Sequence, residues 1–537
     1  MSEPRSKLAG HLRPPTPADM LACAAAEQIR LSEQDAEAMA AFVGDTLRLL
    51  DTVEELPPLE LELKFPCRDV GRAPRNESEN PYNAFTRLCR IEGAAEGPLA
   101  GKTLAVKDNM AIAGMPISNS SRTASYAPRV DAVVVERILE AGGTIVGKLN
   151  LDNFSAGAFG ESSYFGPPQN PRNPAYSAGG SSGGAGAAVV CGAVDMALGV
   201  DEGGSARIPA AFCGCVAVKG SHGLVPSFGL SYFDHTLDSI CPLARSVGDA
   251  ALLLGVIAGD DWRDPQWVRE PIKVTAYGDA AAAGVAGMRI GVLQETLDPS
   301  LCQEAVVKGV ERACAALEEA GAQLVPVSVP RLRHTSAIWL GVFLGGAAAM
   351  IRSDGLGYNH LGYVEVDRVH LAGLTRRTEA TSFGTFVQAL LIANGYLREH
   401  YGHTFFAKAH NQRLALRQEL DAALATVDVL LGPTCPTTAP RLPTGRLTML
   451  EQLKRLPAAG VHFPFTQAYN LSGHPALVVA SGYDDEGLPT SLQIAARRFA
   501  EFEVFRVGFA LEQAGVYQPG EPAAGTQAAV HARPKTS

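Results

Sequence analysis

No run of about eighteen apolar residues occurs in the chain, so the sequence predicts no membrane-crossing helix. Its start, MSEPRSKLAG, lacks the hydrophobic region of a signal peptide. There is no basic excess either: the net charge of −10 is spread along the 537 residues. That balance argues against nucleic acid and against an anionic membrane as partners, and leaves a neutral small molecule by elimination. The pair Cys213-x-Cys215 lacks C-x-x-C spacing and has no second Cys/His pair nearby, so buried thiols are expected and no metal. The ten cysteines sit mostly in apolar surroundings, which fits a reduced, cytoplasmic setting. His222, His235 and His474 are isolated and read as structural. With 46% apolar and 19% charged residues, nothing argues for disorder over a long span.

What the sequence does have is a run of glycine, alanine and serine from 179 to 209, GGSSGGAGAAVVCGAVDMALGVDEGGSARIP. So few large side chains mean that something approaches this backbone closely. A flexible linker would not carry the apolar stretch 185–200 in its middle. Both ends present serines behind paired glycines, Gly179-Gly180-Ser181-Ser182 and Gly203-Gly204-Ser205, and read as two halves of one site. Gly-Gly-Ser is a way to offer a hydroxyl and free N–H groups to one reacting oxygen.

Around this run the periodicity is that of an α/β protein. Helices are expected from 16–20 and from Ser32 to Leu50, as a small N-terminal lead-in over 1–75. A strand at 99–108, a helix at 131–141 stopped by Gly142-Gly143, and a strand at 144–147 imply parallel pairing. The pattern returns with a strand at 288–293, a helix at 304–320 and a strand at 323–329, and strands follow at 427–431 and 476–480. The aromatic-rich stretch 331–426 reads as a helical insertion capping a body that spans 76–517. The tail 518–537 reads as disordered.

The motifs Gly-Gly-Ser-Ser-Gly-Gly, Asp201-x-Gly-Gly-Ser205-x-Arg207-x-Pro209 and Ala211-Phe212-Cys213-Gly214 resemble the signature of the amidase signature family of serine hydrolases. The resemblance extends to Ala105-Val106-Lys107-Asp108-Asn109, Gly147-Lys148-Leu149-Asn150, Gly487-Leu488-Pro489 and Gln493, and so to most of the chain. It implies a large mixed sheet flanked by helices, with Ser205 as nucleophile, Ser181 and Lys107 as its proton relay, and a cis Gly180–Ser181 peptide. It further implies an oxyanion hole of backbone N–H groups from Glu202, Gly203, Gly204 and Ser205, supported by Ser182 and by an Asp201–Arg207 pair. No cofactor is implied.

For Lys107 to act as a base it must be neutral, which requires its pKa to fall by about 3 units from about 10.4. Burial at the end of the apolar strand 104–106 pushes it that way. Asp108, adjacent on a strand, is expected on the opposite face. Glu202 departs from the family pattern, where Thr or Gln is common, and would disfavour acidic substrates if it faces the site.

Two further motifs are set aside. Gly179-x-Ser181-x-Gly183 fits a nucleophile elbow, but the preceding Pro/Asn-rich 169–178 does not read as the strand an elbow needs. Gly142 to Lys148 fits a P-loop until Leu149 replaces the Ser/Thr.

The resulting expectation is an amidase acting on an aromatic or bulky apolar amide, with a small-molecule amide or carbamate as its partner. Met115, Ile117, Asn119, Phe228, His235, Trp339 and Tyr358 are candidate pocket residues. Asp354-Gly355-x-Gly357-Tyr358 and Asp234-His235-Thr236-x-Asp238 also look similar to amidases of nitrile-degrading bacteria. Carbamate or urea-derivative hydrolysis, the amidase component of a tRNA-dependent amidotransferase, and a non-catalytic binding protein remain alternatives. A homodimer stays open.

Overall fold

The computed structural model describes residues 13–122, 126–266, 272, 274–357, 360–445 and 447–517. The expected tail at 518–537, and Tyr358, lie outside them. The chain divides into two compact units, Met1–Glu62 and Leu63–Ser537. In the first, helices Pro17–Ala26 and Glu33–Glu55 pack through Met20, Ala36 and Ala40. Their starts follow the capping residues in the sequence: Thr16 and Asp19 form a capping box, and the Ser32 hydroxyl accepts the N–H of Asp35.

The second unit holds β1 (Asp69–Arg72), β2 (Phe85–Glu92), β3 (Thr103–Lys107), β4 (Thr144–Leu149), β5 (Gln169–Asn170), β6 (Asn173–Ser177) and β7 (Met196–Asp201). It continues with β8 (Val216–Lys219), β9 (Ser239–Ala244), β10 (Arg289–Leu293), β11 (Gln323–Val327), β12 (Val429–Pro433), β13 (Ala476–Tyr483) and β14 (Pro489–Ala496). Twelve of them form one mixed sheet in the order β1-β2-β4-β3-β7-β9-β8-β13-β14-β12-β10-β11. β3 is parallel to both β4 and β7, and β10 to both β11 and β12. The expected parallel units are therefore present, embedded among antiparallel pairs. β5 and β6 form a separate ribbon. This corrects the reading of 169–178: a strand does precede Gly179, although it lies outside the main sheet.

The two faces of the sheet differ in side-chain size, because successive strand residues point to opposite sides. Leu104, Val106, Met196, Leu198, Val200, Val216 and Val218 contribute to the larger core, which also takes in helices Val247–Ile257 and Glu501–Gln513. Between them, Ala105, Ala197 and Ala217 join a second core with helices Gly183–Val190 and Arg207–Cys213. Alanine on the strands and glycine and alanine on those helices let backbone approach backbone. Lys107, two residues after Ala105, is on this small-residue face.

The insertion is helical as expected, with Thr335–Arg352, Val366–Thr378, Thr385–Tyr401 and Thr404–Leu424 between β11 and β12. The segment Pro330–Arg352 is long and apolar enough to cross a membrane. Here Ile338, Val342, Phe343 and Ala347 on it are buried within the protein.

Candidate active site

Adjacent parallel strands deliver the two halves of the site to one edge of the sheet. β3 ends in Lys107, and β7 ends in Asp201, from which the loop 202–206 leads into helix Arg207–Cys213. Openings beyond the carboxyl ends of parallel strands are where α/β sheets place their sites. The turn 179–182 enters helix Gly183–Val190 against the same edge, and its Gly180–Ser181 peptide is cis.

Lys107 and Ser181 are fully buried, and Lys107 Nζ donates to Ser181 Oγ at 2.7 Å. Burial pulls the lysine pKa down to about 8 against the carboxylates of Asp238, Asp152 and Asp201, so a substantial fraction is neutral near pH 8. Ser205 is half-buried, and its carbonyl accepts the N–H of Ser182 at 2.9 Å. The Ser182 hydroxyl bonds both backbone groups of Val200, at 3.1 Å to its oxygen and 3.2 Å from its nitrogen. One side chain thus ties the glycine turn to the end of β7.

Asp201 organises the loop that follows. Its carboxylate accepts the backbone N–H groups of Gly204, Ala206 and Arg207 at 2.9, 3.2 and 3.1 Å. It also accepts the Arg207 guanidinium twice, through Nε at 3.0 Å and Nη2 at 2.9 Å. Both side chains are fully buried. Burial opposes ionisation, but the Arg207 charge and hydrogen bonds outweigh it and hold the aspartate well below the usual carboxylate range. Arg207 also reaches Thr466 O, Asn470 Oδ1 and Gln493 Oε1, so each nitrogen of its fork has a partner. The glycines fit this packing. Gly204 has φ +128°, and a Cβ there would meet Thr466 Oγ1 at 2.4 Å; at Gly180 it would meet Asp152 Oδ2 at 2.0 Å.

Asp108 turns away from Lys107, as strand alternation predicts, and pairs with buried Lys148 at 2.9 Å. That pairing also accounts for the lysine of the P-loop-like segment. Glu202 faces inward, its carboxyl buried beside the Trp339 indole. Burial, then the carboxyls of Asp238, Asp234 and Asp201, hold its pKa well above the ordinary value. Two further carboxyls, Asp152 and Asp238, were not singled out for the site by sequence. Asp152 accepts the N–H groups of Gly160 and Ser162, both at 3.0 Å, and donates its own N–H to Ser181 O at 3.1 Å. Asp238 accepts from the N–H groups of Phe233 and Asp234, and burial pushes it up to about 7. Their signal is not local. They lie far from the serines in sequence and meet them only through the fold.

The expected pocket residues separate. Trp339 lies against the nucleophile loop, since a Cβ on Gly203 would meet its Nε1 at 2.9 Å. Ile117 and Phe228 line a cavity with Tyr126, Tyr232, His360 and Arg368. His235 packs on Tyr232 and His360, and its Nε2 bonds Leu356 O. Met115 is in the larger core, and Asn119 is buried with Nδ2 on Ser231 Oγ. Among the described residues no group of three His, Cys, Asp or Glu could hold a metal ion.

A family model described as Amidase matches residues 83–505. The chain is 39% identical over 475 residues to a glutamyl-tRNA(Gln) amidotransferase subunit of Synechococcus sp. (strain RCC307), covering 88% of this chain and 94% of that one. Among solved structures, the corresponding glutamyl-tRNA(Gln) amidotransferase subunit from Thermotoga maritima superposes with a TM-score of 0.65 at 32% identity, covering 81% of this chain and 88% of its own. The peptide amidase of Stenotrophomonas maltophilia gives a TM-score of 0.62 at 28% identity, with 78% and 83% covered. These relatives overturn one expectation. The charge balance does not keep nucleic acid out of the protein's surroundings, nor confine its partners to a small molecule, when its relatives are named as subunits of a tRNA-linked enzyme. Net charge describes this chain's own surface and not what a companion subunit binds. With the match running through both serine motifs and the strand that carries Lys107, the chain belongs to the amidase signature family of enzymes.

Proposed function

We propose that the protein cleaves a carboxamide C–N bond through an acyl-enzyme on Ser205. The Ser205 hydroxyl attacks the carbonyl carbon and passes its proton to Ser181, which hands its own to neutral Lys107. The N–H groups of Glu202, Gly203 and Ser205 hold the oxygen that becomes negative, that of Gly204 being taken by the Asp201 carboxylate. Collapse expels the nitrogen, which takes the proton back along the same path, and water then frees the acyl group. The observation that carries this reading is the buried 2.7 Å contact between Ser181 and a lysine whose pKa is drawn toward neutrality.

The names of the relatives support a setting as the amidase component of a tRNA-dependent amidotransferase, in which the nitrogen released at Ser205 is passed on. A second reading, a stand-alone hydrolase of a bulky apolar amide, is favoured by the aromatic wall at the nucleophile loop. There Trp339 stacks on Phe343 with ring centres 4.5 Å apart, and Phe343 on Phe233 at 5.4 Å. Affinity purification of the tagged chain, with ammonia release assayed on the chain alone and on anything that co-purifies, separates the two. Activity that needs co-purifying subunits supports the first, and full turnover of aromatic amides by the chain alone supports the second. No ammonia from either preparation on any amide tested, with no labelling of Ser205 by a fluorophosphonate, would overturn both.

A further inference from the structure

The short turn that follows β4, residues 152–155, touches the site and the helical insertion at once. Toward the site, the Asp152 N–H donates to Ser181 O at 3.1 Å, and Ser155 Oγ accepts Asn109 Nδ2 at 3.2 Å, two residues beyond Lys107. Toward the insertion, Asn153 Oδ1 accepts the N–H of Gly384 at 2.9 Å, at the start of helix Thr385–Tyr401. The Phe154 ring meets that of Phe383 edge-on, with centres 5.0 Å apart. A second turn backs the first: Asn153 Nδ2 donates to Ser120 O at 2.9 Å and the Phe154 N–H to Asn119 O at 2.8 Å.

Both turns are held in backbone conformations that side chains resist. Phe154 and Ser155 have φ of +52° and +61°, and Asn119 and Ser120 have +50° and +47°. For a bulky residue such as phenylalanine the left-handed region is an outlier, costing about 1–3 kcal/mol, and it persists only where the surroundings over-determine it. Here the site holds one side and the insertion the other. Asp152 closes the turn from within. Its carboxylate accepts the N–H groups of Gly160 and Ser162 and, at 2.7 Å, the Ser162 hydroxyl, which in turn accepts the Asn153 N–H at 3.0 Å. Asp152 also packs against the turn that carries Ser181, since a Cβ at Gly180 would meet its Oδ2 at 2.0 Å. Asn153 is buried, and both ends of its side-chain amide are engaged.

We propose that Asn153 is a positioning residue for the reaction: through the turn 152–155 it braces Ser181 and the end of β3 against the insertion, so that the seating of helix Thr385–Tyr401 sets the rate of the chemical step. Asn153 acts through Asp152 and takes no part in the proton path. The inference rests on the reading of Ser205 as nucleophile with Ser181 and Lys107 as its relay.

Gly384 allows a test from outside the site. Its φ is −58° and Phe383 before it is extended, so proline fits the backbone there. Gly384→Pro removes the N–H that Asn153 accepts, and a Cβ at this position lies 2.7 Å from Asn153 Oδ1. The maximal rate at which a fluorophosphonate labels Ser205 reports how well the relay activates the hydroxyl, whatever the natural substrate. That rate should fall by between about tenfold and about 10²-fold, the cost of displacing reacting groups by up to about 1 Å. The reagent concentration giving half the maximal rate, and the final extent of labelling, should stay unchanged. An unchanged rate, with or without a smaller extent of labelling, describes a contact that serves the fold alone and would overturn the proposal. In an Asn153→Ala background the acceptor is already gone, so Gly384→Pro should have no further effect; additive losses would overturn the proposal too. Where Gly384→Pro yields no folded protein, Phe383→Leu takes away the ring facing Phe154 and should lower the maximal rate by a smaller factor, an unchanged rate again counting against the proposal. Wild-type protein that is not labelled at Ser205 removes the catalytic reading and this inference with it, whereas labelled wild type beside an unaffected Gly384→Pro removes the inference alone.

Discussion

The nucleophile loop and the helical insertion are built on opposite terms. The side chains of Lys107, Ser181, Asp201 and Arg207 are all fully buried, and the Asp201 carboxylate is shared among three backbone N–H groups and a guanidinium. Within 331–426 the aromatics divide. Phe343 and Phe383 are buried, whereas Tyr396, Tyr401 and Phe405 are 59%, 49% and 49% exposed. One region leaves its groups no alternative position, as chemistry that depends on fixed geometry requires. The other presents surface that can vary without disturbing the sheet. On the proposed reading the reaction belongs to the first region, and Trp339 lies where the two meet.

The largest expected effect comes from removing the group on which the reaction is proposed to occur. Ser205→Ala should lower kcat by at least about 10³-fold with little change in the melting temperature, as read by ammonia release and by thermal unfolding. A comparable loss in both quantities would mean that the residue serves the fold.

Next is the ion pair beneath the loop. Asp201→Asn leaves Arg207 buried without its counter-charge and should cost about 3–5 kcal/mol of stability by urea unfolding. A loss below about 1 kcal/mol, in the range of exposed pairs, would remove the distinction between the two regions.

The lysine supplies a test by pH. Lys107 acts as a base only when unprotonated, and burial draws its pKa to about 8. Activity, as kcat/KM, should therefore rise with pH through about 8 and level off above it. A profile flat from pH 6 to 9 would contradict a neutral-lysine relay.

The smallest effects should come from the exposed aromatics of the insertion. Tyr401→Ala and Phe405→Ala should each change stability by no more than about 0.5 kcal/mol. Any loss of turnover that depends on a co-purifying partner would identify this surface as the place where that partner binds.

Much of this was legible in the sequence because the relevant rules are local. Thr16 and Ser32 announce the first two helices, Gly142-Gly143 ends the helix before β4, and the alternation in 103–107 sends Lys107 and Asp108 to different surroundings. The glycines of 179–204 were readable as points of close approach, and the structure shows what approaches: Asp152 at Gly180 and Thr466 at Gly204. What could not be read is what the chain assembles from distant pieces. Asp152 reaches the neighbourhood of Lys107 from a segment with no motif of its own, and Asp238 from a motif that carried a resemblance but no role. The antiparallel strands β2 and β9, which close around the parallel units, carry no signal of their neighbours. The strand β6 was hidden by Pro174, which is tolerated because β6 belongs to a two-stranded ribbon. Partner identity was the least legible, since the net charge of a chain does not report what the proteins its relatives assemble with bind.

The most direct test is to trap the intermediate. The protein is mixed with an amide substrate, quenched in acid during turnover, digested and analysed by mass spectrometry. The account predicts the mass of the acyl group on the peptide that contains Ser205, and its absence in Ser205→Ala. Continued turnover with the acyl group on another residue, or with none on any peptide under conditions where release of the acyl group limits the rate, would contradict it.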